Sequence, residues 1–258
     1  MRVHHSKKRL RILLLFCLLL FCISAVQVVR ITSGLQKEQK ALDMLAVQKS
    51  ENQEKSVTGT KGENGMLQAY EALYKENQDL AGWIRIEGTK LNYPVMFTPE
   101  TPEYYLHRSF DRSDSVSGVP FIGEGSSPAG SNVMVYGHHM KNGTMFAVLL
   151  KYAEEDFWNE HPVIWFDSLY EENVYEVVGA FYSRVCDQKE NAFKYYEYTD
   201  LSSPKQFDAY LRQVKEASLY DTGIAAEYGE QILTLSTCSY HVKNGRFVVV
   251  ARKIKNRY

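Results

Sequence analysis

From residue 82 to residue 254 the chain breaks into short apolar stretches separated by turn residues, and this spacing limits the possible folds more than any other feature. The stretches do not alternate with long helical patterns as a βαβ chain would, so they imply a barrel or a sandwich. We read eight strands, over residues 82–87, 91–96, 118–122, 131–137, 162–167, 173–185, 231–237 and 246–254. The longest connection lies between the sixth and seventh. Within it Ser203-Pro204-Lys205-Gln206 reads as a capping box with proline at the first helical position, and Phe207, Tyr210, Leu211 and Val214 make one apolar helix face. The expected fold class is mainly β, with an amphipathic helix ahead of the seventh strand.

The N-terminal region is of another kind. Arg2, Lys7, Lys8, Arg9 and Arg11 precede an uncharged run over residues 12–29, which as a helix is about 27 Å long and close to the thickness of a bilayer core. Both a signal peptide and an anchor have this form. The run is long for a signal peptide and no convincing small-x-small cleavage site comes before Arg30, which favours an uncleaved anchor. Basic residues ahead of the span put the N-terminus in the cytoplasm and the rest outside. From residue 32 to residue 65 there is no aromatic residue, and Lys, Glu, Gln, Ser and Gly dominate, so this part is read as a spacer too polar to fold alone. Leu67, Tyr70 and Tyr74 then recur at helical spacing and open the folded domain. The expected organisation is a cytoplasmic basic tail (1–11), a transmembrane anchor (12–30), an extracytoplasmic linker (31–65) and a folded domain (66–258).

A net charge of −1 over 258 residues, with no basic stripe beyond the tail, argues against a nucleic-acid partner. The four cysteines include no C-x-x-C pair, so neither a zinc site nor a disulfide scaffold is expected. Cys17 and Cys22 lie in the apolar run. Cys186 and Cys238 remain, and a disulfide between them would silence both thiols.

Cys238 ends the strand-like segment Thr234-Leu235-Ser236-Thr237-Cys238. Period-two alternation sets Leu233, Leu235 and Thr237 on one face, and Ile232, Thr234, Ser236 and Cys238 on the other. A free thiol often serves as a small buried hydrophobe. As a nucleophile it needs a proton-transfer partner, because the thiolate is the attacking species and a free thiol is only a few per cent ionised at neutral pH. Outside the tail, the histidines are His107, His138, His139, His161 and His241. His138 and His139 end the strand that runs to Gly137, a glycine expected to let the backbone turn so that a ring projects over the strand end. Asn244-Gly245 signals a tight hairpin that brings Arg246 back beside Cys238. A guanidinium stays protonated, so it serves as a donor to an oxyanion rather than as a base. Arg252 is the competing arginine, on the same face but deeper in the strand.

Thr-Leu-Ser-Thr-Cys, Arg-Phe-Val-Val-Val-Ala and Tyr-Gly-His-His-Met-Lys-Asn-Gly-Thr-Met-Phe together closely resemble class B sortases. The likeness extends to Gly82-Trp83-Ile84, Tyr93-Pro94-Val95, Glu103-Tyr104-Tyr105-Leu106 and the insertion helix. The resemblance implies an eight-stranded sortase β-barrel with N-terminal helices and an added helix before the cysteine strand. It implies a membrane-tethered cysteine transpeptidase of Gram-positive type that needs no metal or cofactor. Cys238 matches the family's nucleophile, His138 its histidine and Arg246 its arginine, while Leu106 and Ser236 match positions lining the substrate groove. His139 matches a second histidine that has no assigned role. Ser239 departs from the pattern, standing where many relatives carry an acidic residue. The implied partners are surface proteins bearing a C-terminal sorting signal of Asn-Pro-x-Thr or Pro-x-Thr-Gly type, and an amino group of peptidoglycan or its lipid-linked precursor. A cell-wall cysteine hydrolase would use the same groups, and a tethered binding module with an inert buried Cys238 is the non-enzymatic alternative.

Overall fold

The computed structural model describes residues 2–55, 61–62 and 64–254, so residue 1 of the expected tail, 56–60 and 63 of the expected linker and 255–258 of the expected domain lie outside the described residues. The chain forms two compact units, residues 1–41 and 42–258. The first is the N-terminal part of helix α1 (Arg2–Lys55). Among the described residues this is the helix long and apolar enough to cross a membrane. Its apolar side chains, among them Leu13, Phe16, Leu20 and Phe21, are exposed.

The second unit is a closed barrel of eight strands: β1 (Leu80–Arg85), β2 (Asn92–Met96), β3 (Phe121–Ile122), β4 (Asn132–Tyr136), β5 (Val163–Ser168), β6 (Val174–Arg184), β7 (Ile232–Cys238) and β8 (Gly245–Lys253). Each falls within or beside a run read from the sequence. The order around the barrel is β1-β2-β3-β4-β7-β8-β6-β5, and β5 closes back on β1. Neighbours are antiparallel except for β2 with β3 and β4 with β7, which run parallel.

Two layers of core explain why β7 and β8 are so uniformly apolar. Leu233, Leu235, Phe247, Val249 and Ala251 point into the barrel. On the opposite face Ile232, Val248 and Val250 pack with Phe181 beneath Phe207, Tyr210 and Val214 of helix α4 (Pro204–Ala217), the helix expected in the long connection. A strand covered on both faces has little use for polar residues. Where polar residues do occur on the outer face of β7, a tyrosine meets each. Thr234 Oγ1 pairs with the Tyr210 hydroxyl at 2.7 Å, and Ser236 Oγ pairs with the Tyr195 hydroxyl at 2.7 Å. Pro204 occupies the first turn of α4 as expected, but Ser203 makes no side-chain capping bond, so the capping box is not closed.

The segment read as a spacer differs from that expectation. Helix α1 continues to Lys55, and within the second unit Leu42 is buried while Leu45 and Ala46 pack against the core. The polar residues find partners there rather than staying solvated. Lys49 lies 3.4 Å from the Asp167 carboxylate, over the rings of Tyr70 and Trp83, and the Tyr70 hydroxyl donates to the same carboxylate at 2.7 Å. Burial lowers the Lys49 ammonium below its ordinary pKa, although Asp167 pulls it back up. Gln48 and Gln53 donate to Glu76 and Glu172. Helix α2 (Gln68–Glu76) follows; of the residues read at helical spacing, Tyr70 is buried within it, Leu67 is its buried N-cap and Tyr74 is half-buried, while Leu73, not among them, is fully buried. The short helix α3 (Glu155–Glu160) precedes β5.

Candidate active site

The parallel register of β4 and β7 builds one side of the site. Tyr136 and Ser236 are cross-strand partners, and the pairing continues past the end of β4. The Gly137 N–H donates to the Ser236 carbonyl at 3.2 Å, and Thr237 Oγ1 donates to the Gly137 carbonyl at 2.7 Å. His138 and Cys238 each follow by one residue, so they emerge on adjacent strands at the same end of the barrel.

The antiparallel register of β7 and β8 builds the other side, because Cys238 and Arg246 are direct partners. Such partners share a face, with Cβ atoms about 4.5–5.5 Å apart. Cys238 is therefore flanked by His138 on one strand and Arg246 on the other. It is half-buried rather than sealed in the core, and both Cys238 and Cys186 are free thiols. The β7–β8 turn is longer than a two-residue hairpin. It spans residues 239–244, and Asn244 adopts the left-handed conformation at φ 57°.

Gly137 is needed for a different reason from the one expected. Its φ is not in the left-handed region; a Cβ there would lie 2.7 Å from the Phe146 ring, which is fully buried. The close ring approach, rather than a turn, excludes any side chain in front of His138.

His138 is oriented by the backbone. Its Nε2 lies 2.9 Å from the Leu106 carbonyl oxygen, which can only accept, so Nε2 carries a hydrogen and Nδ1 is left free for proton exchange. Leu106 sits in a 3₁₀ turn, Tyr104–His107, and its side chain packs against the core. Gly118, at φ +58°, makes that carbonyl position possible, since a Cβ there would lie 2.4 Å from the Leu106 oxygen. Burial holds the His138 pKa below the ordinary histidine value. The Leu106 carbonyl pulls it up, and the His107 imidazole, 5.5 Å away ring to ring, pulls it down.

Arg246 donates to the Gly245 carbonyl at 3.0 Å through one terminal nitrogen, leaving its other N–H groups for a ligand. Its charge is felt by Tyr136, whose phenol burial pushes up to about 12 while Arg246 pulls the other way. Arg252 is placed differently. It pairs in register with Ile232 at the far end of β7, and Glu176 and Glu230 hold its guanidinium. Ser236 lies on the same face as Cys238, but it is buried and its hydroxyl is taken by Tyr195, a ring that is itself buried, so neither is open to a ligand as expected of a groove-lining residue. Burial, above all, keeps the Tyr195 phenol neutral. Ser239 is buried as well, and its hydroxyl pairs with His241 Nδ1 at 2.9 Å. Neither Tyr195 nor His107 carries a local motif. Only tertiary packing places Tyr195 against Ser236 and His107 beside the His138 ring.

A half-buried thiol between an imidazole with one free nitrogen and a guanidinium with unused donors is equipped for acyl transfer. The comparisons with known proteins agree with that chemistry. The Sortase domain family model matches residues 84–254. Sortase B of Staphylococcus aureus is 33% identical over 190 residues, covering 72% of this chain and 75% of that protein. Sortase B of Listeria monocytogenes is 32% identical over 187 residues, covering 70% and 72%. Among solved structures, a Staphylococcus aureus sortase B–substrate complex aligns with a TM-score of 0.74 at 29% identity, covering 86% of this chain and 99% of that one. A Bacillus anthracis protein described as similar to sortase B aligns with a TM-score of 0.72 at 30% identity, covering 86% and 98%.

Proposed function

Because this chain belongs to the sortase family, we propose that it is a membrane-anchored class B transpeptidase that cleaves a C-terminal sorting signal after threonine and transfers the surface protein to an amino group of peptidoglycan. The observation that carries this reading is the position of Cys238 between β4 and β8, with His138 following one strand and Arg246 opening the other. In the first step the Cys238 thiolate attacks the scissile carbonyl, and Arg246 donates to the oxyanion that forms. Collapse breaks the C–N bond, the departing amine takes a proton from His138 Nδ1, and a thioester is left on Cys238. In the second step the acceptor amine attacks the thioester and gives a proton back to His138. The new amide forms and the thiolate is released. The basic residues ahead of the apolar span support an N-terminus in the cytoplasm and a catalytic domain outside, where sorting signals and wall precursors meet.

The test is product analysis with a panel of sorting-signal peptides, with and without an added amine. A transpeptidase gives an acylated Cys238 by intact mass and an amide product that depends on the amine. Cleavage to the free acid at an unchanged rate, with no amide at any amine concentration, would instead identify a hydrolase.

The acid role of His138 has a pH signature. Activity that needs its proton falls as pH rises through its pKa, which burial and His107 hold down. Replacing His107 by glutamine removes the like charge, so the falling limb of kcat/KM against pH is expected to move to higher pH. An unmoved limb would mean that another group sets it.

A further inference from the structure

One aromatic pair beside the nucleophile is left without a role by this acylation chemistry. The Tyr240 ring, two residues past Cys238, is 73% exposed, and it lies 5.5 Å from the His139 imidazole at an interplanar angle of 35°. His139 directly follows His138 and is held by a bridge to Met145. Its Nδ1 is buried with no hydrogen-bond partner among the described residues. That nitrogen faces the protein, whereas so large an exposed ring as Tyr240 gains little from the fold and is better suited to a ligand than to stability.

The chemistry says which ligand comes here. The first amine to leave the acyl carbon takes its proton from His138, and by microscopic reversibility the incoming amine must return a proton to that same nitrogen. The acceptor therefore arrives on the side from which the leaving group departed. The chain next to His138 and Cys238 on their C-terminal sides supplies His139 and Tyr240, one and two residues on, within reach of a short peptide whose terminal nitrogen sits at the thioester.

We propose that the Tyr240 ring, backed by the His139 imidazole, forms the acceptor site of this enzyme, packed along the peptidyl chain that carries the amine. This rests on the transpeptidase reading and adds the residues that select the second substrate. An aromatic face suits a chain poor in side chains, because peptide planes stack on it whatever the sequence. The amine nitrogen forms its bond to the acyl carbon, the C–S bond breaks, and the proton passes to His138. Tyr240 positions the acceptor chain, His139 supports its ring, and neither takes part in the proton transfer.

The test is Tyr240→Ala in the full chain, with the acyl-enzyme partitioned between water and three amines. Triglycine and Nα-acetyl-lysine amide carry a chain; hydroxylamine has none. We expect the half-saturating concentration of the better chain-bearing amine to rise on the order of tenfold. The rate of thioester formation and the partition to hydroxylamine should stay unchanged, and Tyr240→Phe should behave as the parent. An unchanged half-saturation in Tyr240→Ala would overturn the proposal. So would an equal loss with hydroxylamine, or a parent enzyme that uses neither chain-bearing amine better than hydroxylamine. Absence of any thioester in the parent is a different result, which would sink the transpeptidase reading itself.

Discussion

Replacing Cys238 with alanine is expected to abolish both peptide cleavage and thioester trapping, a loss on the order of 10⁴-fold or more. Neither serine beside the strand end is placed to replace the thiol, because Ser236 is buried against Tyr195 and Ser239 is buried against His241. The fold should be unaffected. Cys238 is half-buried at the last position of β7, and the barrel below it is held by Leu233 and Leu235, which the substitution does not touch. The loss should therefore appear in the rate and in the intact mass, with an unchanged thermal midpoint. Retained turnover above about a hundredth of the parent rate would remove Cys238 from the nucleophile's role.

Arg246→Lys is expected to lower kcat by about 10²- to 10³-fold, the scale seen when one oxyanion donor is removed. The charge is kept, so the loss would report geometry. Arg246 spends one terminal nitrogen on the Gly245 carbonyl at 3.0 Å, and its remaining N–H groups are available to an oxyanion. An ammonium at the end of a flexible stem cannot hold that carbonyl and meet an oxyanion in a fixed direction at once. Arg252→Lys supplies the contrast. Its guanidinium bridges Glu176 and Glu230 at the opposite end of β7, so that variant should change stability and leave kcat near the parent value. Steady-state kinetics on the two variants with one sorting peptide separates them. Near-parent rates in Arg246→Lys would move oxyanion stabilisation to another donor.

Much of the fold was legible because its signals are local. Apolar runs bounded by turn residues mark all eight strands to within a few residues, and Phe207, Tyr210 and Val214 mark the buried face of α4. The alternation along β7 correctly separates Leu233 and Leu235, inside the barrel, from Ser236 and Cys238 on the outer face. Local signals also had limits. The capping box at Ser203 is present in the sequence but unmade in the fold. Gly137 matters for the Phe146 ring that packs against it, a neighbour that no local pattern could name.

The sequence by itself determined the strands, the insertion helix, the apolar N-terminal span, and the candidate residues for the chemistry, because backbone periodicity and side-chain chemistry are properties of a few consecutive residues. Only the tertiary structure decided which strands adjoin. Strand pairing is a contest among long-range alternatives, and the parallel pairing of β4 with β7 is what sets His138 beside Cys238 across about 100 intervening residues. The same limit applies to the segment read as a spacer. Lys49, Gln48 and Gln53 look solvated in isolation, and they become part of the barrel's surface only because Asp167, Glu76 and Glu172 are there to receive them, which offsets the desolvation that a polar segment cannot bear alone.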